Sequence, residues 1–209
     1  DDQIAKMVAK LKAEGVYEET AIIISADHGE NQGELGIYGE HGTADAGTCH
    51  IPMVIKWPGG VSGKVDDGLH YNLDWAPTCM ELIDQQALSQ DIWDGSSYAS
   101  TVTSGAAVGR QDLVVSQCCH VCQRGVRFDK WMYIRTYCDG FHPFAQEMLF
   151  DLEADPLEQD NLASQHPEIV REGAYRLMNW HDEQMQKMAV YCSDSVDPLW
   201  TVVREGGPH

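Results

Sequence analysis

The sequence is poor in basic residues. Its 209 residues include 14 Lys and Arg against 33 Asp and Glu, which gives a formal net charge of −19. This balance argues against nucleic acid as a partner, because phosphates are met by clustered Lys and Arg, and against an anionic membrane surface for the same reason. A small anionic substrate stays open, since a metal ion or a few local cations can reverse the field inside one pocket.

Long apolar runs are also lacking. No stretch of 18 or more apolar residues is present, so no segment is predicted to cross a bilayer. The first residues, "DDQIAKMVAK", lack the charged and apolar halves of a signal peptide. The seven cysteines are odd in number and lack the spacing of a small disulfide-linked domain. We therefore expect mostly free thiols, which favour a cytoplasmic location.

The first half of the chain alternates between helical and strand-like patterns. Apolar residues from Ile4 to Leu11 recur at helical spacing, and this helix is predicted to end near Glu14. The apolar runs 21–26 and 51–57 are typical of strands that are covered on both faces. A further helix is predicted from Asp74, which is well placed as its cap. The alternation indicates an α/β fold with a parallel sheet.

The pattern changes from residue 114 onward. Short, aromatic-rich segments separated by turns are typical of an antiparallel sheet, and residues 167–190 predict a long helix that begins at a proline. Residues 85–110 are the best candidate for a linker. We therefore predict an α/β part over residues 1–110, with half of a metal site, and an α+β subdomain over residues 111–209.

Asp27 and His28 lie where an open parallel sheet usually places its chemistry. They directly follow the apolar run 21–26, and ligands bind beyond the carboxyl ends of such strands. A carboxylate oxygen beside an imidazole nitrogen offers two ligands to a divalent cation, and the glycines that follow let the backbone wrap closely around what is bound. The simpler alternative is that Asp27 caps a turn and His28 lies on the surface.

Longer motifs give these two residues a context. The segment "SADHGE" is followed by "GEHGTADAGTCHIPMVIKWPGG", and near the C-terminus stands "MLFDLEADPLEQDNLA". Three further segments lie between them in order: "YNLDWAPTCMELID", "WDGSSY" and "RGVRFDKWMYI". In these five matches the chain resembles the sulfatases of the alkaline-phosphatase superfamily. The resemblance implies the C-terminal portion of an alkaline-phosphatase-like doubly wound sheet, followed by a small antiparallel sheet and a long C-terminal helix.

The resemblance also implies roles for individual residues. Asp27 and His28 would ligate a divalent metal, with Ca²⁺ favoured by hard oxygen ligands and Mn²⁺ or Zn²⁺ left open by the histidine. His41 stands at the position of a lysine that contacts sulfate, so as a catalytic residue it would contact the sulfate or protonate the leaving oxygen. His50, at an arginine position, and His142, in the loop "YCDGFHPF", would bind substrate.

Two departures from the family pattern affect what this chain can do alone. Asp45 and Ala46 replace the usual Tyr-Glu pair, so the task of that glutamate is absent or met differently. No "C-x-P-S-R" or "S-x-P-S-R" motif, which in the family supplies the formylglycine nucleophile, is present. We therefore expect a C-terminal fragment that is inactive alone and has the missing N-terminal part of the same protein as its partner. A missing N-terminus also leaves a periplasmic or secreted location open.

The segment 118–122, "CCHVC", has the residue types of a zinc site but no obvious second pair of ligands. Buried strand cysteines are the simpler interpretation. Trp131 and Tyr133 alternate along a predicted strand and are interpreted as core residues.

The resulting prediction is metal-dependent hydrolysis of sulfate esters. A sulfated sugar is the broadest substrate class that the resemblance implies, with choline sulfate and aryl sulfates as alternatives. Two other functions stay open. One is a phosphate or phosphonate ester hydrolase of the same superfamily, which the nucleophile would identify. The other is a non-catalytic, degenerate sulfatase module, which intact upstream aspartates and an intact nucleophile would exclude.

Overall fold

The computed structural model describes residues 1–85, 93–118, 121–191, 197 and 199. Five helices and eight strands occur in this described part: α1 (Asp2–Ala13), β1 (Ile22–Ser25), β2 (Asn31–Gln32), β3 (Tyr38–Glu40), α2 (Ala46–Cys49), β4 (Met53–Lys56), α3 (Trp75–Leu82), α4 (Ala99–Ser104), β5 (Asp112–Gln117), β6 (Cys122–Phe128), β7 (Trp131–Cys138), β8 (Glu147–Asp151) and α5 (Pro167–Tyr191). The predicted α/β content, small antiparallel sheets and long C-terminal helix are confirmed. No helix in these residues is both long enough and apolar enough to span a membrane.

The chain divides into two compact units that interleave along the sequence. Unit 1 comprises Asp1–Ala26 and Pro52–Arg110, and unit 2 comprises Asp27–Ile51 and Gln111–His209. The assignment of residues 1–110 and 111–209 to two functional domains stays a prediction. The division does show that the segment following β1 packs with the C-terminal half of the chain, because Asp27–Ile51 belongs to unit 2.

Strands β1 and β4 of unit 1 pair with each other in an antiparallel register, with Ile22 opposite Lys56 and Ser25 opposite Met53. The parallel pairing expected from the helix–strand alternation is therefore wrong for these two strands. The expectation that both faces are covered is also wrong within this chain, because exposure alternates along β1 and Val54 of β4 is 57% exposed. Alternating exposure is normal for an antiparallel pair with one solvated face.

Asp74 has a different task from the one predicted. It makes no side-chain cap to α3. Its buried carboxylate instead accepts hydrogen bonds from the backbone N–H groups of Tyr71 and Ser96, each at 2.7 Å, and forms an ion pair with Arg110.

The predicted linker 85–110 is corrected in part: residues 86–92 lie outside the described residues, but α4 within it is ordered, with Ala99 and Val102 buried.

Unit 2 is built on a four-stranded antiparallel sheet in the order β5-β6-β7-β8. One side of the sheet packs against α5, which confirms the predicted long helix. The core of this side is a cluster of buried apolar residues: Val114, Val126, Phe128, Tyr133, Leu149, Val170 and Leu177. Trp131 packs against the cluster, so the prediction of Trp131 and Tyr133 as core residues is confirmed.

Part of the cysteine segment lies within the described residues. Cys122 is fully buried on β6 and faces Cys138 on β7, as expected for a buried strand cysteine. Cys118 is exposed, so the same expectation is wrong for it. Cys119 and His120 lie outside the described residues.

Candidate metal centre

The backbone after β1 fixes the ring of His28. Its Nδ1 lies 2.8 Å from the carbonyl oxygen of Gly29. A carbonyl oxygen can only accept, so Nδ1 carries the proton and donates, and in the neutral ring Nε2 keeps its lone pair. A histidine held in this tautomer by a backbone carbonyl is the usual form of a metal-ligating histidine.

Three side chains converge here: His28, Glu30 and His41. One possible ligand atom from each lies within 4.8 Å of the others. His41 Nδ1 is 3.1 Å from Glu30 Oε2, and the His28 and His41 rings stack with centroids 3.7 Å apart and planes 13° from parallel. All three are exposed, so their donor atoms are accessible to an ion or a ligand.

Asp27 lies beside this cluster. Its Oδ1 accepts a hydrogen bond from the His28 backbone N–H at 3.0 Å, and its Oδ2 is 3.8 Å from His28 Nε2. Hydrogen bonds from its own backbone N–H and from that of His28 lower the pKa of Asp27. The carboxylate is therefore ionised at neutral pH, as a ligand must be.

The donor set fits a divalent cation. Ligand atoms 3 to 5 Å apart are spaced so that one ion with metal–ligand distances of about 2.0–2.6 Å can lie between several of them. Two imidazoles with carboxylates suit Mn²⁺ or Zn²⁺, whereas carboxylate oxygens suit Ca²⁺. The assignment of Asp27 and His28 as ligands stays a prediction.

A buried network holds the segment that carries these ligands. Asn31 is fully buried, and its Nδ2 donates to Thr43 Oγ1 at 3.0 Å and to Thr48 Oγ1 at 3.2 Å. The backbone N–H of Gly29 donates to the Thr48 carbonyl at 2.8 Å. A Cβ at Gly29 would lie 1.9 Å from the carbonyl oxygen of Gly47, so only glycine allows this approach.

The short helix α2 is held by two carboxyl groups. Asp45 caps it and accepts from the Thr48 backbone N–H at 2.9 Å, while Glu158 Oε2 accepts from the Ala46 backbone N–H at 2.8 Å. Burial and the neighbouring Asp45 carboxylate raise the pKa of Glu158 to about 8. Asp45 and Ala46, which stand where the family has Tyr-Glu, are thus supported by a glutamate from a distant part of the chain.

The predicted site residues are brought together only in part. His28 and His41 are in direct ring contact, and Asp27 adjoins them. His142 Nε2 lies 3.2 Å from Glu40 Oε2, which places the loop after β7 next to the residue preceding His41. His50 is exposed at the end of α2. The roles of His41, His50 and His142 stay predictions.

Glu30 and Glu158 were not recognised as site residues from the sequence. Glu30 stands two residues after His28, within the quoted "SADHGE", and this spacing in an extended segment puts both side chains on one face. Glu158 belongs to the "DPLEQDNLA" motif, but nothing local in that motif indicates its contact with residue 46.

Residues 1–85 match the sulfatase family model. The choline-sulfatase of Rhizobium meliloti is 31% identical over 172 residues, which cover 78% of this chain and 31% of the relative. The N-acetylgalactosamine-6-O-sulfatase of Bacteroides thetaiotaomicron is 29% identical over 149 residues, which cover 66% of this chain and 29% of the relative. The chain therefore spans about a third of the length of these curated relatives.

Solved structures show the same fold. A protein in complex with its substrate D-glucosamine-2-N,6-O-disulfate superposes with a TM-score of 0.74 at 18% identity, covering 87% of this chain and 38% of that one. The phosphonate monoester hydrolase of Agrobacterium radiobacter superposes with a TM-score of 0.69 at 21% identity, covering 87% of this chain and 39% of that one. The predicted alkaline-phosphatase-like fold class is confirmed, and the resemblance drawn from the sequence motifs is confirmed with it.

Proposed function

Because this chain is related to the sulfatases of the alkaline-phosphatase superfamily, we propose that it contributes the metal and sulfate contacts of a metal-dependent sulfate-ester hydrolase. The observation that carries the proposal is the convergence of His28 and Glu30, in the segment after β1, with His41, which follows β3. The sulfatase match over residues 1–85 contains all three residues and therefore supports it.

Asp27 and His28 are the proposed metal ligands. His28 offers the Nε2 lone pair because its Nδ1 donates to the Gly29 carbonyl, and Asp27 offers an ionised oxygen 3.8 Å from that nitrogen. A divalent cation, Ca²⁺ first and Mn²⁺ or Zn²⁺ as alternatives, supplies a Lewis acid for a sulfate oxygen when bound. Glu30 adds a second carboxylate, with one oxygen within 4.8 Å of a ring nitrogen of His28.

Glu30 also orients His41. With Nδ1 of His41 held at 3.1 Å by the Glu30 carboxylate, Nε2 is the nitrogen left for substrate. A proton on Nε2 makes the ring a donor to a sulfate oxygen or to the leaving oxygen, the role proposed for His41 as the catalytic residue. His50 and His142 are proposed as substrate contacts at the edge of the site.

The nucleophile is assigned elsewhere in the protein. This chain has no "C-x-P-S-R" or "S-x-P-S-R" motif. We therefore propose that a formylglycine in another segment of the same polypeptide is the nucleophile, and that this chain alone does not turn over substrate. We also propose a cytoplasmic location, because the described cysteines are free thiols and thiols stay reduced in that compartment.

The substrate class is proposed from the relatives. One is a choline-sulfatase, another is an N-acetylgalactosamine-6-O-sulfatase, and a structural neighbour binds a glucosamine disulfate. We propose a sulfated sugar, with choline sulfate as the alternative substrate.

The test is a substrate screen with the full-length protein that contains this chain. Amino-sugar 6-sulfates, choline sulfate and a phosphonate monoester are compared, together with the metal content of Asp27→Ala and His28→Ala. We expect sulfate esters to be the best substrates and each variant to lose at least about 10- to 100-fold in kcat/KM together with bound metal. His166→Ala, at a half-buried histidine outside the cluster, serves as the control and should keep wild-type activity and metal content.

Two results would overturn the proposal. Wild-type rates and metal content in both Asp27→Ala and His28→Ala would reject the ligand assignment. Preferential hydrolysis of the phosphonate monoester would reject the sulfatase assignment and support the alternative hypothesis of a phosphonate ester hydrolase.

A further inference from the structure

We propose that Glu158 is a positioning residue for the candidate metal centre, acting through α2 on the backbone that carries His28 and Glu30. Glu158 lies in the turn after β8, far from these residues in sequence, and it touches none of the proposed ligands. The inference rests on the proposed function only for what the centre does.

The first contact in this path joins Glu158 to α2. Glu158 is 1% exposed, and its Oε2 accepts from the Ala46 backbone N–H at 2.8 Å, while the N–H of Gly47 also points to it. Asp45 Oδ2 takes the Thr48 N–H at 2.9 Å. The N–H groups at the start of a helix have no partner within the helix, so these two carboxyl groups determine where α2 begins.

The second contact joins α2 to the metal-binding segment. The Thr48 carbonyl accepts from the N–H of Gly29, which lies between His28 and Glu30. Asn31 is tied to the same turn through Thr48 Oγ1 and, at 3.3 Å, Asp45 Oδ1. Since Gly29 has no space for a Cβ against the Gly47 carbonyl, a small shift of α2 would have to move Gly29 as well.

Glu158 is an unfavourable choice for stability alone. Its Oε1 is buried without a hydrogen-bond partner, and the carboxyl groups of Asp45 and Asp155 face it. A buried carboxyl with an unsatisfied oxygen beside two other acids costs folding free energy. What it provides is an acceptor at a fixed point at the start of α2, and this is the basis for assigning it a positioning role.

The test compares Glu158→Ala, Glu158→Gln and the matched control Glu153→Gln in the full-length protein. Glu153 is an exposed glutamate in the turn that precedes Glu158. Two quantities are measured without substrate: the affinity for Mn²⁺ by calorimetry, and the protection of the Gly29 amide from hydrogen exchange relative to that of Val126 in the sheet core.

Glu158→Ala removes the acceptor, so we expect about tenfold weaker Mn²⁺ binding and about tenfold faster exchange at Gly29 with Val126 unchanged. Glu158→Gln keeps an oxygen acceptor of the same reach and should restore both to within about twofold of wild type. Glu153→Gln should change neither. If Glu158→Ala does not fold, Glu158→Asp, which is one methylene shorter, carries the same expectation.

The inference is overturned if Gly29 and Val126 lose protection equally, because that is the result of general destabilisation. It is also overturned if Glu158→Ala binds Mn²⁺ as wild type does, or if Glu158→Gln fails to rescue it. The exchange measurement needs neither metal nor substrate, so it decides the role of Glu158 even if the protein proves to hydrolyse phosphonate esters.

Discussion

Individual side chains of the candidate centre are held to different degrees by their neighbours. The ring of His28 is fixed by the Gly29 carbonyl and by stacking on His41, whereas the Asp27 side chain is 88% exposed. Asn31, one residue beyond Glu30, is buried and tied to three side-chain oxygens. The segment 28–31 is thus held by contacts at both of its ends. The exposed side chain of Asp27, just before it, is free to adjust to an ion.

Glu158 gives the first prediction at this scale. Its pKa is raised from 4.5 to about 8, mainly by burial and then by Asp45. Between about pH 5 and pH 8 the folded protein therefore keeps a proton that the unfolded chain has already lost. The free energy of unfolding falls as pH rises through that window, by at most about 1.4 kcal/mol per pH unit. The groups that face it are the carboxyls of Asp45 and Asp155 and the N–H groups of residues 46 and 47.

Urea denaturation from pH 5 to pH 9 measures this dependence. Many other acids titrate, so the informative quantity is the difference in slope between wild type and Glu158→Gln, which cannot ionise. We expect the variant to lose less stability than wild type between pH 5 and pH 8, while Glu153→Gln follows wild type. Parallel curves for wild type and Glu158→Gln would show that Glu158 does not titrate in this range.

The sequence predicted some of these residues and not others for a physical reason. Asp27 and His28 were recognisable because a strand end is marked by local pattern, and the longer motifs placed His41. Glu158 was not, because its partner Ala46 is 112 residues away and contributes only a backbone N–H, which leaves no trace in residue type. Asp74 was misassigned likewise, since its partner Arg110 is distant in sequence.

Among the elements of unit 2, helix α5 approaches strand β7 closely at Gly173. A Cβ on this glycine would lie 2.6 Å from Cγ of Tyr133, which is fully buried and donates through its hydroxyl to Glu147 at 2.9 Å. The helix approaches the sheet closely there because the position carries no side chain. Elements were in general better predicted than their pairing. The existence of α5 followed from its length and its proline start, whereas the antiparallel register of β1 with β4 depends on contacts between strands that 27 residues, 26–52, separate in the sequence.

Gly173→Ala is expected to destabilise the protein despite the better helix propensity of alanine. At an exposed helical site this exchange stabilises by up to about 1 kcal/mol. Here the added methyl overlaps the Tyr133 ring, and overpacking of this kind costs about 1–3 kcal/mol. Asn179→Ala, an exposed position on the same helix, is the control and should be neutral or slightly stabilising. Urea midpoints at pH 7 measure both, and an increase for Gly173→Ala would show that α5 can move away from β7.

At the scale of the whole chain, the two units differ in the apolar surface that they bury. The buried apolar residues of unit 1, among those described, are Pro77, Tyr98, Ala99 and Val102. Both large core clusters, one formed around Tyr133 and the other around Phe150, lie in unit 2. Helix α1 has no buried residue, and its Met7 is 67% exposed. Since burial of apolar surface is the main source of stability, the units should differ in their resistance to denaturant.

We expect the 209-residue chain to lose unit 1 before unit 2 as urea is raised. Amide hydrogen exchange followed by mass spectrometry resolves the two, with peptides covering β1 and β4 reporting on unit 1 and peptides covering β6 and β7 on unit 2. Val126→Ala removes buried apolar volume from unit 2 only. It should lower the unfolding free energy reported by the β6 and β7 peptides by about 1–3 kcal/mol, and with it their urea midpoint, while leaving the β1 and β4 peptides unchanged. A single midpoint for all four strands, shifted as one by Val126→Ala, would mean that the two units unfold cooperatively and that the small core of unit 1 does not limit its stability.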